Sequence, residues 1–336
     1  MADADRLLRA LDDGALPDLP TLMIRPGGDA RLVSALTAPS TVWQPILPHL
    51  EILRAAGAQA VDRVAGSFPQ VLVCLARSRT ATEADIAAAW DATDDGGRII
   101  ISGQKTDGID AILKALRAIV PVDEVIAKAH GKLAVFTRNG PLPDPFRAWA
   151  DRGVPSRNAD GFLTAPGIFS ADGVDPGSAL LAQHVTADMK GEMADLGAGW
   201  GWLSLQALST APGISALHMV EADRIALDLA RQNVSDNRAQ AHWADATRWD
   251  PGARMDWVSS NPPFHTGRSA DPSLGQAFLR SAARLLKPSG RALVGANRQL
   301  PYESTLAECF GRVEVLEQTG QYKLFRLSAP GRTSGR

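Results

Sequence analysis

The sequence predicts an α/β protein of two tandem domains, each built on a parallel sheet with helices on both faces. Three observations carry this. Strand-like and helix-like patterns alternate through both halves of the 336 residues, and such alternation implies strands joined by helical crossovers. The halves also resemble each other: "GRIIISGQK" (97–105) aligns without gaps on "GRALVGANR" (290–298), and "GKLAVF" (131–136) parallels "GQYKLF" (320–325). Finally, "RNGPLPDPFRAWADRGVPSR" (138–157) holds four prolines and little periodicity, so it reads as an exposed connection. The expected domains are 1–150 and 151–336.

The elements follow from periodicity. In the first half, "QVLVCLA" (70–76), "RIIISG" (98–103) and "GKLAVFTR" (131–138) read as strands, and "EADIAAAW" (83–90) and "GIDAILKALRAI" (108–119) as helices. In the second half, "EMADLG" (192–197), "ALHMVEAD" (216–223), "AQAHWADA" (239–246), "MDWVSSN" (255–261) and "RALVGAN" (291–297) read as strands. "RIALDLARQNV" (224–234) and "SLGQAFLRSAARLL" (273–286) read as helices between them.

Composition narrows the function classes. Only Cys74 and Cys309 occur, which excludes a disulfide framework or a CxxC metal site and suits a reducing cytoplasm; no metal is expected. No apolar run approaches the ~20 residues that span a bilayer, and the N-terminal "MADADRLLRALDDGALPD" lacks the apolar core of a signal peptide. Net charge is −2. Residues 1–150 carry 16 basic against 18 acidic side chains, and the remainder 19 against 19. Binding to nucleic acid would therefore rest on local patches rather than on a basic face. The linker residues Arg138, Arg147, Arg152 and Arg157, together with Arg268, are the candidates for phosphate contacts.

Chemistry concentrates in the second half. "DLGAGWGWLSLQAL" places Asp195, Gly197, Gly199 and Gly201 between a strand and an apolar helix. Glycines in such a turn permit positive φ and close approach of a ligand to the backbone. The spacing G-A-G-W-G departs from the dinucleotide pattern G-x-G-x-x-G. Asp195 could accept from an ammonium group or ordered water. Glu221 ends the next strand, where a ribose diol could donate to it, and Asp245 and Ala246 end the one after, where Asp245 could accept from an adenine amine. An amino-acid end, a ribose and an adenine without phosphates describe S-adenosylmethionine. Trp200 and Trp202 are expected to pack under the loop.

The fourth strand of this half stops in Asn261-Pro262-Pro263-Phe264. Ligands of open parallel sheets sit beyond the carboxyl ends of the strands, which puts Asn261 beside a methyl donor. The side-chain oxygen of Asn261 and the carbonyl of Pro262 are acceptors. Held in a stiff turn, they can grip both hydrogens of an exocyclic amine and aim its lone pair. Phe264 offers a face for base stacking, and His265 could contact RNA or receive a proton.

With these residues in hand, the second half resembles the bacterial ribosomal RNA small-subunit guanine-N2 methyltransferases, a class I S-adenosylmethionine-dependent family. The resemblance rests on "PGIFSADGVDPGSALLAQHV" (166–185), "ADLGAGWG" (194–201), "SSNPPFHTG" (259–267) and "LPYESTLAECFGRVEVLEQTGQYKLFR" (300–326). Ala198 stands where Cys is common, and Glu221 where Asp is common. The resemblance implies two tandem Rossmann-like methyltransferase domains. The N-terminal one is degenerate and serves as RNA binder or scaffold. The C-terminal one carries a seven-stranded mixed sheet. It further implies that Phe169 and Ser170 line the cofactor site and that ribosomal RNA is the partner. Transfer to adenine N6 or a protein glutamine amide, and a non-catalytic RNA-binding role, are the alternatives.

Overall fold

The structure, a computed structural model, describes residues 2–14, 16–263, 265–266, 269–270, 272–299 and 301–331. The chain divides into two compact units: Met1–Pro155 with Ala165–Gly167, and Ser156–Thr164 with Ile168–Arg336.

The first unit runs α1 (Ala2–Asp12), β1 (Thr21–Ile24), α2 (Arg31–Ser34), β2 (Ser40–Trp43), α3 (Leu47–Ala55), β3 (Gln59–Ala60), β4 (Phe68–Cys74), α4 (Arg79–Asp91), β5 (Thr93–Gln104), α5 (Ile109–Arg117), β6 (Glu124–Lys128), β7 (Gly131–Thr137) and α6 (Asp144–Gly153). Its sheet has the order β3-β2-β1-β4-β5-β7-β6. The second unit begins with a short ribbon, β8 (Ser156–Arg157) and β9 (Leu163–Thr164). It continues through α7 (Pro176–Ala182), β10 (Lys190–Leu196), α8 (Trp202–Thr210), β11 (Gly213–Glu221), α9 (Arg224–Asn233), β12 (Ala239–Trp243) and β13 (Met255–Ser260). A second ribbon, β14 (His265–Thr266) with β15 (Ser269–Ala270), precedes α10 (Pro272–Leu285), β16 (Leu286–Asn297), α11 (Glu303–Cys309), β17 (Phe310–Gln318) and β18 (Tyr322–Pro330). The second sheet has the order β12-β11-β10-β13-β16-β18-β17.

The two orders are the same, strand for strand, so the duplication is a property of the fold. Each sheet is mixed because β7 and β18 run antiparallel to their neighbours. The cause is loop length. Residues 319–321 separate β17 from β18, and Ala129-His130 separate β6 from β7; neither connection is long enough for a parallel crossover. Ala129 and His130 both take positive φ, 47° and 56°, the requirement of the two-residue hairpin turn that matches strand twist.

Register makes the correspondence residue by residue. Strands β5 and β16 show one and the same sequence of buried and exposed positions, and the gapless match of 97–105 to 290–298 holds in space. The second match does not: Gln104 pairs with Gly131 and Asn297 with Tyr322, so Gly131 corresponds to Tyr322, two residues from the alignment of "GKLAVF" on "GQYKLF". Carried across the sheets, register sets Arg25 where the second unit has Gly197, Gln44 where it has Glu221, and Cys74 where it has Asn261. The first unit's counterpart of the Asn-Pro-Pro turn thus begins at Cys74, in "CLARSR" (74–79), which holds neither the amide nor the prolines.

The proline-rich connection is a correction. Residues 144–153 form α6, entered through Pro143 and Pro145, and Phe146 and Trp149 are buried in the first unit's core. Prolines at a helix start are compatible with helix, and a three-residue spacing puts both rings on one face. Its arginines are also engaged: Arg138 with Asp95, Arg147 with Asp144, Arg152 with Glu83, and Arg157 with the carbonyl of Gly161. Arg268 lies outside the described residues. Among the described residues no helix is long and apolar enough to cross a membrane.

In the second unit the sheet separates two clusters. Met193, Met219 and Leu293 pack with α7, α8 and α9, while Ala194, Val258 and Val294 pack with α10 and α11. Alternation along each strand sends successive residues to opposite sides, and this decides which site residues face which helices.

Candidate active site

The loop after β10 holds three glycines at positive φ: Gly197 at 77°, Gly199 at 56° and Gly201 at 91°. Their reasons differ. A Cβ on Gly201 would come within 2.8 Å of Val234 on the α9 side, so that glycine serves packing. A Cβ on Gly199 would meet nothing within 4 Å, so that glycine leaves the backbone open on its outer side. The loop is tied down by Glu221: Gly199 N–H donates to Oε2 and Asp223 N–H to Oε1, each at 2.8 Å. Burial nevertheless pushes the Glu221 carboxyl up to about 7. Trp200 is buried beneath the loop, against Phe162, and its Nε1 donates to the carbonyl of Phe169 at 3.1 Å; Trp202 is half-buried against the cluster that Met193 and Met219 form with α7, α8 and α9. Phe169 itself is 54% exposed, and Ser170 turns the chain at φ 51° with its hydroxyl donating to the Gly173 carbonyl.

Asp195 does not present an open carboxylate. It is 1% exposed and points into the α8 side, where Ser204 Oγ donates to Oδ2 at 2.6 Å and Ser259 Oγ to Oδ1 at 2.8 Å. Burial raises its pKa to about 6. Its geometry is that of a brace joining β10, α8 and β13 under the loop. Asp245 likewise spends its oxygens nearby, accepting from Thr247 and Arg248, which holds it below the usual carboxylate range despite burial. Ala246 is buried, and its carbonyl accepts from Ser281.

Asn261 follows β13 directly. Its Nδ2 donates to Asp175 Oδ2 at 2.7 Å and to Ser178 Oγ at 2.9 Å. Both partners lie at the start of α7, and the sequence reading missed both. The motif "DPGS" could have drawn attention as an N-cap followed by Pro at the first helical position, but nothing in it points to a residue 86 positions away. Pro262 is buried and described; Phe264 is not among the described residues, and of the His265 side chain nothing is described.

Loop, acidic strand end and amide thus collect at the carboxyl edge of β10, β11 and β13, as the doubly wound topology requires. The family model "Methyltransferase small domain" matches residues 160–326. The ribosomal RNA small subunit methyltransferase C of Escherichia fergusonii is 32% identical over 235 residues, which is 69% of this chain and 67% of that protein. The chain belongs to the ribosomal RNA small subunit methyltransferase C family. The Escherichia coli K12 member matches to the same extent. A solved member of the family is the T. thermophilus 16S rRNA N2 G1207 methyltransferase, in complex with AdoMet and guanosine. It is similar over 98% of this chain and 92% of its own, at 25% identity and a TM-score of 0.76. Likeness over nearly the whole chain means that the family's tandem architecture includes the first unit.

That first unit keeps the shape of the site without its chemistry. Arg25, at φ 52°, occupies the turn that Gly197 occupies in the second unit. Its Nε donates to Asp85 at 2.5 Å, and its guanidinium lies 4.7 Å over the ring of Trp43. Gln44 replaces Glu221 and repeats its clamp: Ile46 N–H donates to Oε1, and Nε2 donates to the carbonyl of Pro26. An amide in that place offers no carboxylate to a diol.

Proposed function

We propose that this protein transfers the methyl group of S-adenosylmethionine to the exocyclic N2 amine of a guanine in 16S ribosomal RNA, in the cytoplasm where that RNA is assembled. The observation that carries the reading is Asn261, set at the end of the fourth strand with its NH₂ engaged and its oxygen left to accept. The T. thermophilus relative binds AdoMet and guanosine, and its fold supports the same pair of ligands here.

The residues fit the cofactor. Gly199 has open space over its backbone. Glu221 ends β11 with a carboxylate for the ribose hydroxyls, and Phe169 is an exposed ring at the same edge. Phe169, Ser170, Asp195, Gly197, Gly199, Glu221, Asp245, Ala246 and Asn261 form the proposed cofactor site, Asp195 acting through the loop it braces and Asn261 bordering the methyl end without holding the donor. The cofactor supplies an electrophilic methyl carbon on a sulfonium. Asn261 Oδ1 and the Pro262 carbonyl accept the two hydrogens of the guanine amine and aim the nitrogen at that carbon. A conjugated amine is a poor nucleophile, so orientation contributes more than a strong base. With the cofactor bound, the amine nitrogen would take the methyl group as the thioether leaves, and the amine proton would pass to water. Phe264 is proposed to stack on the base. The first unit, with Arg25 in place of Gly197 and without the Glu221 carboxylate and the Asn261 amide, contributes RNA binding or scaffolding.

Binding is expected to depend on pH through Glu221. A diol donates to a carboxylate better than to a carboxylic acid, so below about 7 the site must release a proton before it accepts the ribose. Affinity for S-adenosylmethionine therefore rises from pH 6 to pH 8, and Glu221→Gln flattens that slope. Calorimetric titration across this range checks it; an equal slope in both proteins removes Glu221 from the ribose contact.

The reading as a whole is tested by mapping modified nucleotides in ribosomal RNA from cells with and without the protein. One N2-methylguanosine of 16S RNA is expected to disappear and to return with the wild-type gene. An unchanged map, or loss of an N6-methyladenosine instead, overturns it.

A further inference from the structure

An asparagine side chain has two nearly isosteric ends, and only the oxygen can accept the hydrogens of an amine. An amide free to rotate would present its NH₂ to the same amine about as readily, and two donors repel. In this protein the choice is made by α7. Asp175 Oδ2 accepts from Asn261 Nδ2 at 2.7 Å and Ser178 Oγ accepts from the same nitrogen at 2.9 Å. A carboxylate has no hydrogen to donate. Rotating the amide would set its oxygen against Asp175 Oδ2 and forfeit a charge-assisted bond, the stronger kind.

The lock is stiff because it shares an atom with a helix cap. Asp175 Oδ2 also accepts the backbone N–H of Ser178 at 2.8 Å, so the group that orients Asn261 is held by the first turn of α7. Tyr322 of β18 in turn seats on α7: a Cβ on Gly177 would come within 2.7 Å of its ring. Gly295 leaves the space beside the acceptor open, since a Cβ there would stand 3.5 Å from both Asn261 Oδ1 and Leu181 of α7. The first unit shows the same position without the device. Its helix α1 supplies Arg6, whose Nε donates to Ser102 Oγ at 3.1 Å. Ser102 stands where the second unit has Gly295, and Cys74 stands where it has Asn261.

We infer that Asp175, assisted by Ser178, is a positioning residue that presents Asn261 with its oxygen toward the acceptor base and so favours substrates bearing an NH₂ over those bearing a carbonyl. The inference rests on the reading of Asn261 as an amine clamp.

The informative variant is Asp175→Ser. Serine caps helix N-termini about as well as aspartate, so α7 stays capped, but its hydroxyl is one atom shorter and does not reach Asn261. The expected result is a melting temperature lowered by no more than a few degrees, unchanged affinity for S-adenosylmethionine and unchanged KM for RNA, with kcat lower by about 10–10² through misorientation. On an Asn261→Ala background the same change is expected to cost nothing further, because there is no amide left to orient. A kcat near wild type, or an equal loss in both backgrounds, overturns the inference. A second measurement is independent of the acceptor. The Asn261 side-chain NH₂, assigned by its disappearance in Asn261→Asp, is expected to exchange with solvent slowly in the wild-type protein and fast in Asp175→Ser; equal exchange in the two overturns the lock. A wild-type protein that modifies no guanine defeats the clamp reading, while the exchange experiment still decides whether Asp175 holds the amide.

Discussion

Asn261→Ala is expected to lower turnover by ~10²–10³, the usual consequence of losing one pre-organised polar contact in a catalytic site, while S-adenosylmethionine binds with little change. The separation follows from the geometry. Asn261 is bonded through Nδ2 to α7, whereas the glycine loop is held by Glu221 and, from below, by Trp200, so removing the amide leaves the loop in place. The cost in stability is expected to be about 1 kcal/mol, the net worth of a typical side-chain hydrogen bond, because Asp175 keeps its cap on Ser178. Asn261→Asp sharpens the test. It keeps an oxygen where the acceptor was, but sets two carboxylates against each other at α7, and it is expected to be as inactive as the alanine variant. Single-turnover methylation beside calorimetric titration separates chemistry from binding. Near-normal turnover of Asn261→Ala would mean that the Pro262 carbonyl or another group holds the amine, and the clamp would have to be abandoned.

Sequence carried the second domain further than the first, for reasons visible in particular residues. In the second half, strands of five to nine residues such as β11 and β12 alternate with amphipathic helices, and the glycine turn and the Asn-Pro-Pro turn mark where they end. In the first half, β1 and β2 are four residues each and β3 is two, too short to show a period, and α6 was hidden by the prolines at its start. Residue types announced Asn261, Glu221 and Gly199, whose chemistry is intrinsic to the side chain or to its absence. At Asp195 and Asp245 they show the carboxylate but not its neighbours, because a carboxylate at a strand end is equally suited to a ligand or to a neighbouring hydroxyl. Only coordinates show that Ser204, Ser259 and Thr247 took those oxygens. Asp175 was invisible for the complementary reason: its role is a contact between residues 86 apart in sequence, and local pattern carries no trace of such a pairing.

Gly199→Val is expected to abolish S-adenosylmethionine binding in a protein that remains folded. Two effects of the substitution have to be told apart. The first is backbone strain: Gly199 sits at φ 56°, where a β-branched residue is a genuine outlier, and a residue in this conformation costs roughly 1–2 kcal/mol. The second is obstruction. A Cβ at Gly199 meets no protein atom within 4 Å, so the side chain would project into the space proposed for the ligand. Strain alone is tolerable in this type of turn, because Arg25 holds φ 52° at the first unit's counterpart of Gly197, two residues earlier in the same turn. Gly252 supplies the control. It has φ 74° and equally empty surroundings, but it precedes β13, at the end of that strand opposite Asn261. Gly252→Val is expected to lower the melting temperature by a similar few degrees and to bind the cofactor normally, whereas Gly199→Val pays the same strain and loses binding. Loss in both variants would attribute the effect to destabilisation. Retention in Gly199→Val would show that the ligand does not approach the loop backbone, and with it the assignment of the glycine loop would fall.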